Sequence, residues 1–444
     1  MKIDNKAHFD ALTHRILNEL QQGEYAALAY YGENSDFMRF NNCKVRQSGT
    51  VLQTELTIKL WKNKKSYTTQ LGLSGNFAKD DEVVSEALSS ARALLPLLPD
   101  DPYQAIPDGS SVSEASYKGS LLGSKDIPTR ILEPAKGLDF TGLYSQGYLC
   151  RAAANSSGAR HWFETETFLL DYSAWLPNGR AVKSTFAGRE WQDSLYKDKL
   201  DSTKKAVAKL DAEEIVLKPG NYRAFICADA LAEVTDFFSW YGLGERGLRQ
   251  GESAFLALQE KREAFSSKFS LTQDFGLGVQ PRFNENGELA PERLDLISSG
   301  KLVNTIVSSR TAKQYNIEAN GATEGEDVRS LAIAAGQLAE ADALAALGTG
   351  VYVSNFHYLN WSDVQAARIT GMTRFSCLWV ENGKIAGPIK DMRWDESLYN
   401  MLGAKLVDLT KERQLIVDSM TYERREVGGC LLPGILVDGL SFTL

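Results

Sequence analysis

The strongest local constraint in the chain is the dipeptide Asn382-Gly383, set between the apolar run Phe375 to Val380 and the run Ile385 to Ile389. A two-residue hairpin needs positive φ at both central positions, and Asn-Gly supplies it at the least steric cost. The dipeptide fixes an antiparallel pair of strands and a β-rich setting for the stretch Ala346 to Leu402. That stretch opens with Gly348-Thr349-Gly350 and a β-rich run, Val351 to Phe356, then crosses a polar loop to Phe375.

The same reasoning sorts the rest of the chain. Leu12, Ile16, Leu17 and Leu20 fall at helical spacing, which predicts an amphipathic helix from Phe9 to Leu20. Four strands are expected after it, Tyr25 to Tyr31, Phe37 to Gln47, Thr50 to Trp61 and Lys64 to Gly72. The alternation in VLQTELTIKLW is that of a half-buried antiparallel strand. An acidic first turn, Asp80-Asp81-Glu82, and Pro96 bracket a second helix, Asp80 to Leu95. Pro99 to Asp139 is rich in Pro, Gly, Ser and Asp and reads as an irregular connection. Strands are expected again between Tyr144 and Glu190, followed by a lysine-rich helix from Asp193 to Leu210. A short strand, Tyr222 to Cys227, then leads into a helix, Leu231 to Tyr241, a glycine-rich segment, Gly242 to Gly251, and a helical piece from Ser253 to Glu263. Strands dominate from Lys268 onward. The expected fold is α+β, antiparallel and β-rich, in three regions: residues 1–98, 99–215 and 216–444.

Composition narrows function by exclusion. The chain has 444 residues, enough for two or three domains with real cores, and 43% hydrophobic with 24% charged residues suits a globular protein. No apolar run has the length of a membrane span, and the N-terminal helix carries acidic residues, unlike a signal peptide; the expected location is the cytoplasm. With a net charge of −8 and its densest lysines at Lys62, Lys64 and Lys65, the chain has little with which to track a phosphate backbone, so no nucleic acid is expected as a partner. Five separated cysteines, none in a C-x-x-C pair, fit reduced thiols.

Four segments share a resemblance. Thr370 to Gly403, containing RFSCLWVENGKIAGPIKD, resembles the C-terminal signature of the TldD/PmbA family, whose PmbA branch is also called TldE. Arg39 to Gly49 (RFNNCKVRQSG) resembles the family's N-terminal Arg-aromatic-x-Asn motif. Leu217 to Val234 (LKPGNYRAFICADALAEV) resembles its strand-to-helix passage into the C-terminal domain, and Leu294 to Ala312 (LDLISSGKLVNTIVSSRTA) its LI-x-x-G-x-L hairpin. The four occur in family order and span nearly the whole chain.

The resemblance implies a peptidase scaffold, and the residues needed for zinc are missing. Catalytic, TldD-type members carry H-E-x-x-x-H on the helix after the Leu-Lys-Pro-Gly strand, with the glutamate activating a zinc-bound water. Here that helix, Asp229 to Tyr241, holds no histidine, and the only histidines of the chain are His8, His14, His161 and His357. Cys430, in Val427-Gly-Gly-Cys430, lies where TldD-type members add a cysteine ligand; one thiolate completes a site only if other ligands converge on it, and a structural cysteine is the plainer reading. Glu233 and Asp236 share a helix face, which a solvated surface also explains. Gly242 to Gly251 follows a helix and so does not match a dinucleotide-binding fingerprint.

The resemblance therefore implies a PmbA/TldE-like, zinc-free and non-catalytic subunit of a TldD/TldE-type metallopeptidase complex. Zinc is expected in a separate TldD-type partner and no cofactor in this chain. Substrate would be an unfolded or short peptide held by β-augmentation, with His357, Tyr358, Trp361 and Arg374 as candidate lining residues; a second copy of this chain is an alternative partner. One departure stands out: the family's usual Gly-Asp-Phe-Ser is replaced by Thr373-Arg374-Phe375-Ser376. Two other readings remain open at this level, a self-sufficient hydrolase using Cys430 with His357 or a carboxylate cluster, and a regulator that docks on a topoisomerase.

Overall fold

Asn42 and Cys43, with φ of 49° and 54°, close the first hairpin. The computed structural model describes residues 5–443. Its first half contains α1 (Asn5–Asn18), β1 (Tyr25–Asn41), β2 (Lys44–Lys62), β3 (Lys65–Gly72), α2 (Phe77–Leu94), β4 (Val112–Tyr117), α3 (Ile127–Ala135), β5 (Asp139–Asn155), β6 (Arg160–Trp175), β7 (Ala181–Gly188) and α4 (Asp193–Leu210). The expected strand Phe37 to Gln47 is thus two strands. Asn42 tolerates the left-handed conformation, so the chain reverses there in the middle of an otherwise strand-like run.

These strands form one seven-stranded sheet in the order β3-β2-β1-β5-β6-β4, with β7 also paired to β6. Because β1 pairs with β5 from Ala27↔Asn155 to Phe40↔Gly142, strands on both sides of residue 98 share it. The alternation read in β2 is observed: Leu56, Ile58 and Leu60 are buried. Leu56 and Ile58 pack with Phe9, Leu12 and Ile16 of α1 and with Val84 and Leu88 of α2. At the other end, Tyr144, Phe168 and Tyr172 pack against Ile127 and Ile131 of α3 and Tyr196 and Leu200 of α4. Helix α2 starts earlier than expected because Asn76 caps it, accepting from the Lys79 amide. Asp80 is buried instead of lying on an open first turn; it accepts from the Ser74 and Gly75 amides and from His8. The connection expected to be irregular contains β4 and α3, whose apolar positions become visible only against β6 and α4.

The second half contains β8 (Gly220–Ile226), α5 (Ala228–Thr235), α6 (Glu245–Gln250), α7 (Leu256–Gln259), β9 (Leu271–Asp274), β10 (Arg293–Ser298), β11 (Lys301–Leu302), α8 (Ser309–Tyr315), β12 (Leu331–Ile333), α9 (Ala343–Leu347), β13 (Gly350–Val353), β14 (Asn355–Asp363), β15 (Arg368–Arg374), β16 (Leu378–Glu381), β17 (Lys384–Pro388), β18 (Arg393–Ser397), β19 (Leu406–Val417) and β20 (Gly429–Phe442). They build a thirteen-stranded sheet with the path β11-β10-β9-β12-β20-β8-β13-β16-β17, from which β18, β15, β14 and β19 branch through β20. Most pairs are antiparallel; β12 with β20 and β13 with β8 are parallel. Asn382 and Gly383 have φ of 50° and 75° and close the β16–β17 hairpin as expected.

Three expectations change here. The polar loop between Phe356 and Phe375 is a second hairpin, β14–β15, whose polar residues suit an exposed edge. The helix expected from Leu231 to Tyr241 stops at Thr235, continues as a 3-10 turn at Asp236–Phe238 and ends at Tyr241, whose φ is 53°. The glycine-rich segment contains α6, and the helical piece after it shrinks to α7. No helix among the described residues is long and apolar enough to cross a membrane.

The two sheets are joined by residues 418–428, the connection between β19 and β20. Arg425 is buried; its guanidinium donates to Ser35 Oγ at 3.0 Å and to Thr167 Oγ1 at 2.8 Å, and its amide donates to Glu33 at 3.2 Å. Arg151 meets Glu426 at 3.0 Å and Arg424 meets Glu55 at 2.9 Å.

Candidate functional site

Strand β8 lies between β20 and β13 and delivers the chain through Cys227 into α5. Ala228, Ala230, Leu231 and Val234 of α5 are buried in the core with Phe238 and Phe255. Helical periodicity then puts Asp229, Glu233 and Asp236 together on the opposite face, at i, i+4 and i+7. Asp229, absent from the sequence-based candidates, accepts from Gln414 Nε2 at 3.3 Å. The signal for it was the i, i+4 spacing to Glu233.

Solvent reaches Glu233 and Asp236, yet the protein around the helix desolvates both. Burial raises the pKa of Glu233, against the pull of Lys183 on β7. Burial, and then the charges of Glu233 and Asp418, push Asp236 up to about 6. Burial also raises Asp229, opposed by Lys199 of α4. The acidic face of α5 therefore looks toward lysines of the first sheet's layer.

A carboxyl raised on folding binds its proton more tightly folded than unfolded. Its charge costs stability at neutral pH, and the cost disappears as pH falls through about 6 toward 3.8, the ordinary value. Asp236→Asn is accordingly expected to melt at a higher temperature than wild type at pH 7.5, with the difference vanishing at pH 4. Melting curves of both proteins at the two pH values check this, and a pH-independent difference contradicts it.

Cys430 sits at the start of β20, opposite Ile416 of β19. Burial pushes its thiol up to about 12, and Asp236, Asp229 and Asp418 add to the effect while a hydrogen bond with Thr235 opposes it. The thiol is therefore held in its protonated form at pH 7. Among the described residues no group of three or more His, Cys, Asp or Glu is arranged to hold a metal ion. The side chains at this position do not fit a zinc centre of the H-E-x-x-x-H kind, because α5 offers carboxylates in place of imidazoles.

The four candidate lining residues lie on the β14–β15 hairpin, which packs beside α5. His357 pairs with Met372; burial, then Arg374 and Lys183, lower its pKa, which leaves the imidazole neutral at pH 7. Arg374 stands 3.9 Å from Asp391 and over the ring of Phe375. Tyr358, at a register shift with φ of 53°, is 79% exposed and leans on His357, ring to ring at 4.0 Å. Trp361 is held more firmly: its indole donates to Trp240 O at 3.2 Å and meets the Phe237 ring edge-on at 4.8 Å. His357, Tyr358 and Arg374 thus form one group, and Trp361 ties the hairpin to the turn after α5.

Residues 219–444 match the family model for the PmbA/TldA metallopeptidase C-terminal domain. The chain belongs to this family. No curated protein sequence matches it. Among solved structures, the PmbA/TldA chain resembles a Thermotoga maritima protein described as a proposed modulator of a DNA gyrase, with a TM-score of 0.77 at 15% identity over 99% of this chain and 100% of that one. It also resembles TldE from Thermococcus kodakarensis, with a TM-score of 0.76 at 14% identity over 98% and 100%. A Bacteroides thetaiotaomicron protein, again described as a proposed gyrase modulator, gives 0.77 at 15% identity over 100% and 99%. At such identities the likeness carries the fold alone. The family read from the four motifs and the α+β fold read from the pattern of strands and helices are both borne out.

Proposed function

We propose that this chain is a zinc-free subunit of a two-component metallopeptidase, and that it holds an extended peptide beside α5 for a separate, TldD-type zinc subunit. The observation that carries the reading is the replacement of imidazoles by Asp229, Glu233 and Asp236 on the helix that bears H-E-x-x-x-H in catalytic members. Such a face lacks the imidazole pair with which catalytic members hold zinc. Strand β14 supports the peptide half of the reading. Among the described residues it pairs only with β15, so its other edge can accept the main chain of a strand. His357 and Tyr358 lie on β14 itself, and Arg374 on the neighbouring β15 supplies a guanidinium able to meet a carbonyl or carboxylate. The likeness to TldE agrees with this assignment, and the cytoplasm is its natural setting.

The test is elemental analysis of the pure chain together with a peptidase assay, with and without a TldD-type protein. The expected result is no stoichiometric zinc, no cleavage by the chain alone, and cleavage when the partner is added. Zinc retained at one per chain, or cleavage without the partner, overturns the reading.

A further inference from the structure

Between the two sheets, next to the acidic face of α5, lies a cavity of about 80 Å³. Its floor is apolar and deep: Phe168 is 1% exposed and Leu169 4%. Leu277 and Val279 form a side wall. Its rim holds two apolar side chains open to solvent, Leu415 at 42% and Met420 at 55% exposure. Asp418 also lines the cavity, and its charge acts on both Asp236 and Cys430. Gln414, the neighbour of rim residue Leu415 on β19, donates to Asp229 of α5 at 3.3 Å, so the cavity and the α5 face adjoin.

We infer that this cavity is a specificity pocket that takes an aliphatic side chain of a peptide lying along α5. The inference rests on the peptide-binding reading above and adds a side-chain preference to it. Three features select the occupant. The lining is mainly apolar, and of its charged side chains Arg425 is engaged with Ser35 and Thr167 and Glu426 with Arg151 and Arg424, so a charged or amide group entering would exchange its hydration for few free partners. The volume equals two to three water molecules at ~30 Å³ each, enough for a side chain of about three or four carbons and too small for a phenyl ring. The exposed rim residues are apolar and would be covered by the main chain of a peptide whose side chain points inward. The rim is also built from the strand ends and connection that join the sheets, Val417, Gly428 and Arg425, so the pocket exists only while the two sheets are docked.

The experiment measures binding of fluorescein-labelled pentapeptides Gly-Ser-X-Ser-Gly to the full chain by fluorescence polarisation, with X as Gly, Val, Leu, Phe or Lys. Burial of a branched aliphatic side chain predicts that the Val and Leu peptides bind about tenfold more tightly than the Gly peptide. The Phe and Lys peptides are expected to show no such gain. Leu415→Trp and, independently, Met420→Trp place an indole at the rim and are expected to bring the Leu-to-Gly affinity ratio to about one; both positions are exposed, so the fold tolerates the change. Equal binding of all five peptides, or an unchanged ratio in both variants, overturns the pocket and leaves peptide binding standing. Failure of every peptide to bind overturns the peptide-binding reading and the pocket with it.

Discussion

Arg425→Ala is expected to loosen the docking of the two sheets and to lower stability by about 3–5 kcal/mol, the usual cost of removing one partner from a buried charged network. The side chain is 7% exposed, and burial depresses its pKa while Glu33 holds it up. Removing it strands Ser35 Oγ and the carbonyl and hydroxyl of Thr167, each of which accepts from the guanidinium. It also leaves Glu33, itself 2% exposed, without the nearby cation. Glu33 keeps its bonds from Tyr31, Gln53 and the residue-425 amide, so the carboxylate stays buried while losing the attraction of the guanidinium charge.

Two comparisons identify the cause. Arg425→Met keeps the volume and loses the charge, and the double variant Glu33→Gln/Arg425→Met removes both charges; the double variant is expected to be more stable than Arg425→Met alone. Arg424→Ala, a half-exposed neighbour paired with Glu55, is expected to cost less than about 1 kcal/mol. Urea denaturation midpoints of wild type and the four variants provide the measurement. If Arg425→Ala costs no more than Arg424→Ala, the buried network does not hold the sheets together.

Much of the architecture was legible because certain signals are local. Asn382-Gly383 specified its hairpin through backbone geometry alone, and the helix Asp193–Leu210 has the limits its sequence predicts. The alternation of β2 predicted which residues face the core. Long-range pairing was not legible. Nothing in the composition of residues 357–374 distinguishes a loop from an exposed hairpin, since edge strands carry the same polar residues as loops. The turn at Asn42 is hidden because Phe37 to Gln47 has strand-like residues on both sides of it.

The candidate site followed the same division. The absence of imidazoles on α5 and the placing of Cys430 beside that helix were apparent from the letters and the family motif. Lys183, Lys199 and Asp418 were invisible, because they reach the helix from β7, α4 and the end of β19, and sequence distance carries no information about that convergence. Trp361 was grouped with His357 by adjacency on the chain. Its hydrogen bond to Trp240 assigns it a bracing position that only the folded turn reveals.

That turn accounts for the second large effect, expected from Gly242→Ala. A Cβ on Gly242 would stand 1.8 Å from the Phe238 carbonyl oxygen and 2.1 Å from its carbon, an overlap with backbone that no rotamer change relieves. The turn cannot shift cheaply. The Leu243 amide donates to Phe238 O at 2.8 Å, Ser253 Oγ donates to Gly242 O at 2.6 Å, and Phe238 stacks on Phe255 at 5.3 Å within the core. The substitution is expected to cost about 3 kcal/mol. Because Trp240 O anchors Trp361, it should also weaken the peptide binding proposed for β14, a loss visible by fluorescence polarisation of a labelled peptide at temperatures where the variant is still folded. Gly247, inside α6, gives the opposite expectation, because a Cβ there would meet nothing within 4 Å: Gly247→Ala should stabilise by about 0.5–1 kcal/mol through helix propensity. The glycine-rich segment then divides by function of its backbone: one glycine is required by a close approach and the other is replaceable. Equal denaturation midpoints for the two alanine variants would remove the close approach as the reason for Gly242.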